Sequence, residues 1–152
     1  MTSLSRRAPR LIAIALLALL PTAACSRSES SAGTIASGTG IAFSADGFDE
    51  ALARARAEKR LLLVDVYTDW CGWCKKLDRE VFADGRVGVA AKDLVAVKVN
   101  AEKGGEEIAR RYRVRGYPTI LFLDGAGKVV ERVDGYVDAS EMVKIVSALP
   151  KG

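Results

Sequence analysis

The chain contains no histidine. That removes the usual neutral-pH base and every His-containing metal shell, and with them most hydrolase and zinc-site readings. Cysteine is scarce, at three residues: Cys25, Cys71 and Cys74. Long apolar runs are missing too. The longest, Leu11 to Leu20, is ten residues, whereas a membrane-crossing helix needs about 20. A strong charge bias is also absent. Of 23 basic and 19 acidic residues, Arg6, Arg7 and Arg10 are the only charges ahead of Cys25, so the rest balances at 20 against 19. Nothing in that balance supports nucleic-acid binding. The cluster Arg110, Arg111, Arg113 and Arg115 reads as a solvated helix end, where cations are favoured. No repeat or heptad suggests assembly, so a monomer is expected. The 152 residues suffice for one modest domain.

The N-terminus reads as an address. A basic segment, the apolar run and the small residues Pro21-Thr22-Ala23-Ala24 have the layout of a secretory signal peptide over residues 1–24. The junction resembles a bacterial lipoprotein signal, in which a cysteine after small residues is lipidated and becomes residue one. It departs from that pattern in carrying Thr22 where leucine is usual, and cleavage after Ala24 to leave a soluble periplasmic protein is the alternative. Cysteine arithmetic favours lipidation, because pairing Cys71 with Cys74 leaves Cys25 over. Ser26 to Gly40 holds five Ser, three Gly and two Thr in 15 residues. Such a segment reads as a flexible tether with a reach of about 20 Å. The expected organisation is therefore a signal over 1–24, a lipidated Cys25 with linker over 25–40, and a globular domain over 41–152.

The stretch Trp70-Cys71-Gly72-Trp73-Cys74-Lys75 carries the chemistry. It lies where the apolar strand Leu61 to Tyr67 gives way to a helical pattern running to about Ala83. The first helical turn presents unpaired N–H groups and the positive end of the dipole, which favour a thiolate. Two intervening residues leave the second sulfur within reach of the first, so the pair can close and reopen. The chemistry on offer is two-electron dithiol/disulfide exchange. Other uses stand beside it: a structural disulfide, though the closed loop is tiny, and two-coordinate Cu(I). A zinc site lacks ligands, and covalent haem attachment fails because Lys75, not His, follows Cys74.

Around that pair, apolar periodicity predicts a helix over Asp46 to Lys59, with Phe43, Phe48, Leu52 and Ala55 at helix-like spacing. Further strands are expected at Leu94 to Val99, Thr119 to Leu123 and Lys128 to Val133, the last two joined by the turn Asp124-Gly125-Ala126-Gly127. A short helix is expected over Glu106 to Tyr112. A closing helix follows Asp138, which has capping-box spacing to Glu141, with Met142, Ile145, Val146 and Leu149 on one face. The order α-β-α-β-α-β-β-α implies an α/β domain: a central mixed sheet flanked by helices on both faces and closed by a C-terminal hairpin plus helix.

Four features in order make the chain resemble the thioredoxin-fold family over about Phe43 to Leu149. They are Trp70-Cys71-x-x-Cys74-Lys75, Asp65 six residues before Cys71, Lys98 within Val97-Lys98-Val99-Asn100, and Gly116-Tyr117-Pro118-Thr119. Within the family it is similar to exported thioredoxin-like proteins and to the C-terminal domain of the disulfide-interchange protein DsbD. Asp69-Trp70-Cys71, Glu80-Val81-Phe82-Ala83-Asp84 and Pro118-Thr119-Ile120-Leu121-Phe122 carry that likeness. Gly72-Trp73 between the cysteines departs from the pairs usual in thioredoxins, oxidases and isomerases.

The resemblance implies a protein-disulfide reductase or exchange enzyme of the cell envelope. Cys71, expected to be the more exposed sulfur, is its nucleophile, Cys74 resolves, Asp65 accepts the Cys74 proton and Lys98 tunes Asp65. Substrate contact falls on Trp70, Gly72, Trp73, Tyr117, Pro118 in a cis bond, and Thr119. The two tryptophans form an apolar rim or are partly core. No cofactor beyond the Cys71–Cys74 couple and no metal is implied. The expected partners are disulfide-containing envelope proteins, an upstream membrane-embedded electron donor, and the membrane through the lipid anchor. No cation lies between the cysteines to stabilise the reduced form, and Asp65 opposes charge on the sulfurs, so a reductant is expected rather than a strong oxidant. A thioredoxin-fold adaptor or Cu(I) metallochaperone using the same sulfurs is the alternative.

Overall fold

A computed structural model describes residues 39–151; the expected signal, Cys25 and most of the tether lie outside the described residues. Four strands form one sheet in the order β2-β1-β3-β4, with β1 (Leu62–Tyr67) parallel to β2 (Val95–Asn100) and antiparallel to β3 (Thr119–Leu123). β3 pairs in turn with antiparallel β4 (Val129–Asp134). The hairpin turn is held by Asp124, whose carboxylate accepts from the N–H groups of Ala126 and Lys128. Gly127 completes it at φ 79°, a backbone state that glycine adopts without a Cβ penalty.

Strand side chains alternate between faces, and here both faces are covered. Leu62, Val64 and Val66 join Val95, Val97 and Val99 beneath α1 (Phe48–Glu58) and α4 (Glu106–Arg111). Leu63, Ala96, Ile120 and Phe122 face Leu77, Phe82, Val87, Met142 and Val146 on the other side. That second layer is α2 (Gly72–Leu77), a π-helical turn over Asp78–Phe82, α3 (Gly85–Ala90) and α5 (Ala139–Ala148). Asp138 caps α5 by accepting from the Glu141 N–H at 2.9 Å. The Glu141 carboxylate turns to Lys144, so only half of the capping box forms.

Three expectations are corrected. The helix expected from Cys71 to Ala83 widens at Asp78 into the π turn, closed by Ala83 N–H donating to the Asp78 carbonyl at 3.1 Å. α3 was not anticipated: Gly85 and Gly88 weaken its helical signal, although Asp84 caps it by accepting from the Arg86 N–H. Phe43 does not share a face with α1. Ser44 bridges to Val97, and the Phe43 ring packs against the opposite layer, with Phe82.

Candidate active site

The chain end of β1 delivers Cys71 to the first turn of α2. Cys71 is the N-cap, with extended backbone, and its sulfur accepts from the Cys74 N–H at 3.0 Å. Cys71 and Cys74 are joined as a disulfide, with Cα atoms 5.3 Å apart. Both residues are buried, at 4% and 3% exposure. The expectation that Cys71 is the more exposed is therefore not met in the oxidised state. What separates the two is position: Cys71 lies outside the helix and receives a helical amide, while Cys74 lies one turn in. A negative charge on the Cys71 sulfur is favoured by that amide.

Asp65 sits on β1 directly opposite Lys98 of β2. Alternation places both on the face covered by α2 and the π turn. Asp65 is 1% exposed. Its Oδ2 accepts from Lys98 Nζ at 2.5 Å, and its Oδ1, although buried, has no protein partner. Burial raises the Asp65 pKa above the ordinary carboxylate value, and Lys98 only partly opposes this. Lys98 Nζ also donates to Asp78 Oδ1 at 2.6 Å. Burial disfavours its charge, yet the two carboxylates hold its pKa above the usual lysine value. Asp78 was not anticipated as a site residue, although its N–H donates to the Cys74 carbonyl in ordinary helical register and the four-residue spacing from Cys74 was the signal that could have found it.

The other expected residues gather at the same end of the sheet. The Tyr117–Pro118 bond is cis, and the buried Thr119 donates its hydroxyl to the Gly116 carbonyl. Trp70 and Trp73 are 66% and 58% exposed, so they form a rim and not core. The Trp70 indole N–H donates to both oxygens of Glu102 at 3.0 and 2.9 Å, and its ring meets Tyr117 edge-on. The preceding residue, Asp69, accepts from Asn100 and pairs with Lys103. A cleft of about 330 Å³ is lined by Trp73, the residue before Cys74, together with Tyr117, Gly135 and Tyr136. Gly72 is exposed, and a Cβ built on it would meet nothing within 4 Å. Among the described residues no group of three or more His, Cys, Asp or Glu is placed to hold a metal ion. No described helix is long and apolar enough to cross a membrane.

A disulfide at a helix start rimmed by exposed rings, on a mixed sheet of this order whose central strand carries a buried carboxylate on the face that helix covers, defines the class of thioredoxin-fold thiol–disulfide oxidoreductases. A family model for the thioredoxin-like domain matches residues 48–150, and the chain belongs to that family. It is 35% identical over 100 residues to the thiol:disulfide interchange protein DsbD of Pseudoalteromonas atlantica, covering 62% of this chain and 17% of that protein. The chain thus spans about a sixth of the length of the curated relatives it matches. A solution structure of a Bacteroides thetaiotaomicron protein proposed to be a disulphide isomerase is 44% identical, with a TM-score of 0.63, covering 73% of this chain and 93% of that one. The oxidised C-terminal domain of Neisseria meningitidis DsbD, at 21% identity, shares the fold with a TM-score of 0.59 over 72% of this chain and all of that one.

Proposed function

We propose that this chain is an envelope protein-disulfide reductase, working on the periplasmic side and held to the membrane by a lipid on Cys25 after removal of residues 1–24. Residues 25–40 then form the tether, and 41–152 the catalytic domain. The observation that carries the reading is the Cys71–Cys74 disulfide at the start of α2, the helix that covers the sheet face bearing the buried, half-partnered carboxylate of Asp65.

In the reduced protein the Cys71 thiolate attacks one sulfur of a substrate disulfide. A Cys71–substrate bond forms, the substrate S–S bond breaks, and the departing sulfur leaves as thiolate. Cys74 passes its proton to Asp65, and the resulting thiolate attacks the Cys71 sulfur. The Cys71–Cys74 bond forms and the second substrate thiolate leaves. Two electrons pass from the dithiol to the substrate. Asp65 suits the proton step because burial raises its pKa and one oxygen is uncommitted. The strand-end loop at Tyr117, Pro118 and Thr119, with Gly72 and the two tryptophans, forms the docking face for disulfide-containing envelope proteins. The dithiol is regenerated by an upstream, membrane-embedded donor. The similarity to DsbD proteins supports the periplasmic side and both kinds of partner.

The test is mixed-disulfide trapping in the envelope. Cys74→Ala is expected to accumulate adducts through Cys71, naming substrate and donor together. The isolated couple is expected to titrate at about −270 mV, the thioredoxin range. Better trapping by Cys71→Ala overturns the nucleophile assignment. Tight Cu(I) binding with negligible disulfide turnover overturns the enzyme reading in favour of a metallochaperone. Cys25 is checked by the mass of the mature N-terminus, where an unmodified Cys25 sinks the lipid anchor.

A further inference from the structure

The segment 39–44 precedes the first helix and is seated across the second layer as a strap. The Ile41 N–H donates to the Phe82 carbonyl at 2.7 Å, and the Ser44 N–H to the Ala96 carbonyl at 2.8 Å. At Gly40 the backbones touch: a Cβ there would lie 1.7 Å from the Phe82 carbonyl oxygen. From the other side, a Cβ on Gly88 of α3 would lie 2.5 Å from the Thr39 carbonyl oxygen. Both positions therefore need glycine for the strap to seat.

Seating the strap delivers one ring. Phe43 lies edge-on to Phe82, with centroids 5.0 Å apart, and its own centroid is 4.8 Å from Lys98 Nζ. Tyr67 and Phe82 lie 5.1 and 5.3 Å from the same nitrogen. One ammonium is thus surrounded by three rings and two carboxylates, from Asp65 and Asp78. Tyr67 and Asp65 come from β1, and Phe82 and Asp78 from the π turn. Only Phe43 comes from outside the strand and helix that carry the cysteines. The Lys98 side chain is 29% exposed, so its cage is not closed. Aromatic faces attract a cation and shed water from it.

We propose that Phe43 is a positioning residue: the strap seats its ring on Lys98, and the ring holds the ammonium against Asp65 and Asp78. This rests on the reading of Asp65 as the acceptor of the Cys74 proton, because Lys98 is the cation that sets how readily Asp65 takes that proton. The charged groups facing Asp65 are Lys98 from β2 and Asp78 from the π turn. Across β3 its partner is Ile120, α2 brings the cysteine pair, and residues 39–44 carry no charge. The simpler alternative is that Phe43 only fills space against Phe82.

Leucine keeps an apolar side chain without a π face, and tyrosine keeps the face, so Phe43→Leu and Phe43→Tyr separate the two readings. The full chain is measured oxidised and without substrate. One readout is the Asp65 carboxyl midpoint by NMR, and the other is Lys98 labelling by an amine-reactive reagent, read by mass spectrometry. In Phe43→Leu the Asp65 midpoint is expected to rise by about half a unit, and Lys98 labelling by about fivefold, as the cation loosens. Phe43→Tyr is expected to match the wild type in both. Gly40→Ala, which unseats the strap and keeps the ring, is expected to behave as Phe43→Leu. Wild-type values in Phe43→Leu, equal shifts in Leu and Tyr, or wild-type values in Gly40→Ala overturn the proposal. Neither readout uses turnover, so a failure of disulfide reduction would sink the enzyme reading and leave this one standing.

Discussion

Lys98 is shared: its ammonium lies 2.5 Å from the buried carboxylate of Asp65 and 2.6 Å from the half-exposed carboxylate of Asp78. One cation thus ties the central strand to the helical arm that carries the cysteines. Removing either carboxylate leaves the cation to the other. The two removals differ in effect because only Asp65 is fully desolvated.

Asp65→Asn is expected to change stability with a definite pH signature. The folded Asp65 pKa is raised above its unfolded value of 3.8. Between those two values the unfolded chain releases its proton first, so stability falls as pH rises through the window. The penalty is fully present above the raised pKa and absent below the unfolded one. Asp65→Asn should therefore flatten that decline and gain relative to wild type toward neutral pH, while the resolving step slows by about 100-fold. Urea unfolding at pH 4 and pH 8, with stopped-flow release of a bound substrate thiol, measures both. A variant equally destabilised at both pH values would show that Asp65 is held for structure alone.

Asp78→Asn acts in the opposite direction on the same group. The Asp78 charge raises the Asp65 pKa, and it also competes for Lys98. Without it Lys98 belongs wholly to Asp65, whose pKa falls. The pH profile of Cys74 release should move to lower pH than in wild type, with no loss of fold because Asp78 is half-exposed. An unchanged profile would mean that Asp78 is a surface partner only.

Why Asp78 escaped the sequence reading is physical. Strand positions were legible because both faces of β1 and β2 are buried, which writes near-continuous apolar runs such as Leu62 to Val66. Asp65 and Lys98 stand out within those runs as the polar exceptions. Asp78, by contrast, lies four residues after Cys74 in ordinary helical register, and a lone charge on a helix reads as solvated surface until the strand lysine it meets is placed. The π turn that follows Asp78 was hidden separately, since no residue type marks where a helix takes an extra residue. Phe43 misled for a related reason, since spacing alone cannot tell a helical face from a strap that crosses the sheet edge first. The cysteine pair and the Pro118 loop were legible from local chemistry, yet the burial of both sulfurs depends on tertiary packing.

The two tryptophans should divide between docking and framework. Trp73 lies tilted against Tyr136 and under the Lys76 ammonium, and it lines the cleft. Trp73→Ala is expected to raise KM for a protein disulfide several-fold while leaving kcat and a small-molecule disulfide unchanged. Trp70 is tied to Glu102 and Tyr117. Trp70→Phe removes its N–H donor, an exposed charge-assisted bond worth about 1 kcal/mol or less. A small loss in thermal stability is expected, and it should be absent when the change is made in a Glu102→Ala background that has already lost the acceptor. Equal KM effects on protein and small disulfides in Trp73→Ala would remove it from the docking face.

Gly72 distinguishes a requirement of the fold from one of the substrate. It is the first residue of α2 and exposed, its φ is not positive, and an added Cβ would enter open space. Nothing in the fold requires glycine there, and alanine restricts the unfolded chain, so Gly72→Ala should stabilise by about 0.5 kcal/mol. A partner chain that reaches the adjacent Cys71 sulfur has to pass the same open space. The added methyl is then expected to raise KM for a protein disulfide by about threefold as a steric cost, with the trapping yield of Cys74→Ala reduced in parallel. Thermal unfolding and steady-state kinetics on the same preparation separate the two effects. Gained stability with unchanged KM and trapping would mean that the substrate approaches from the Pro118 side alone, and Gly72 would leave the docking face.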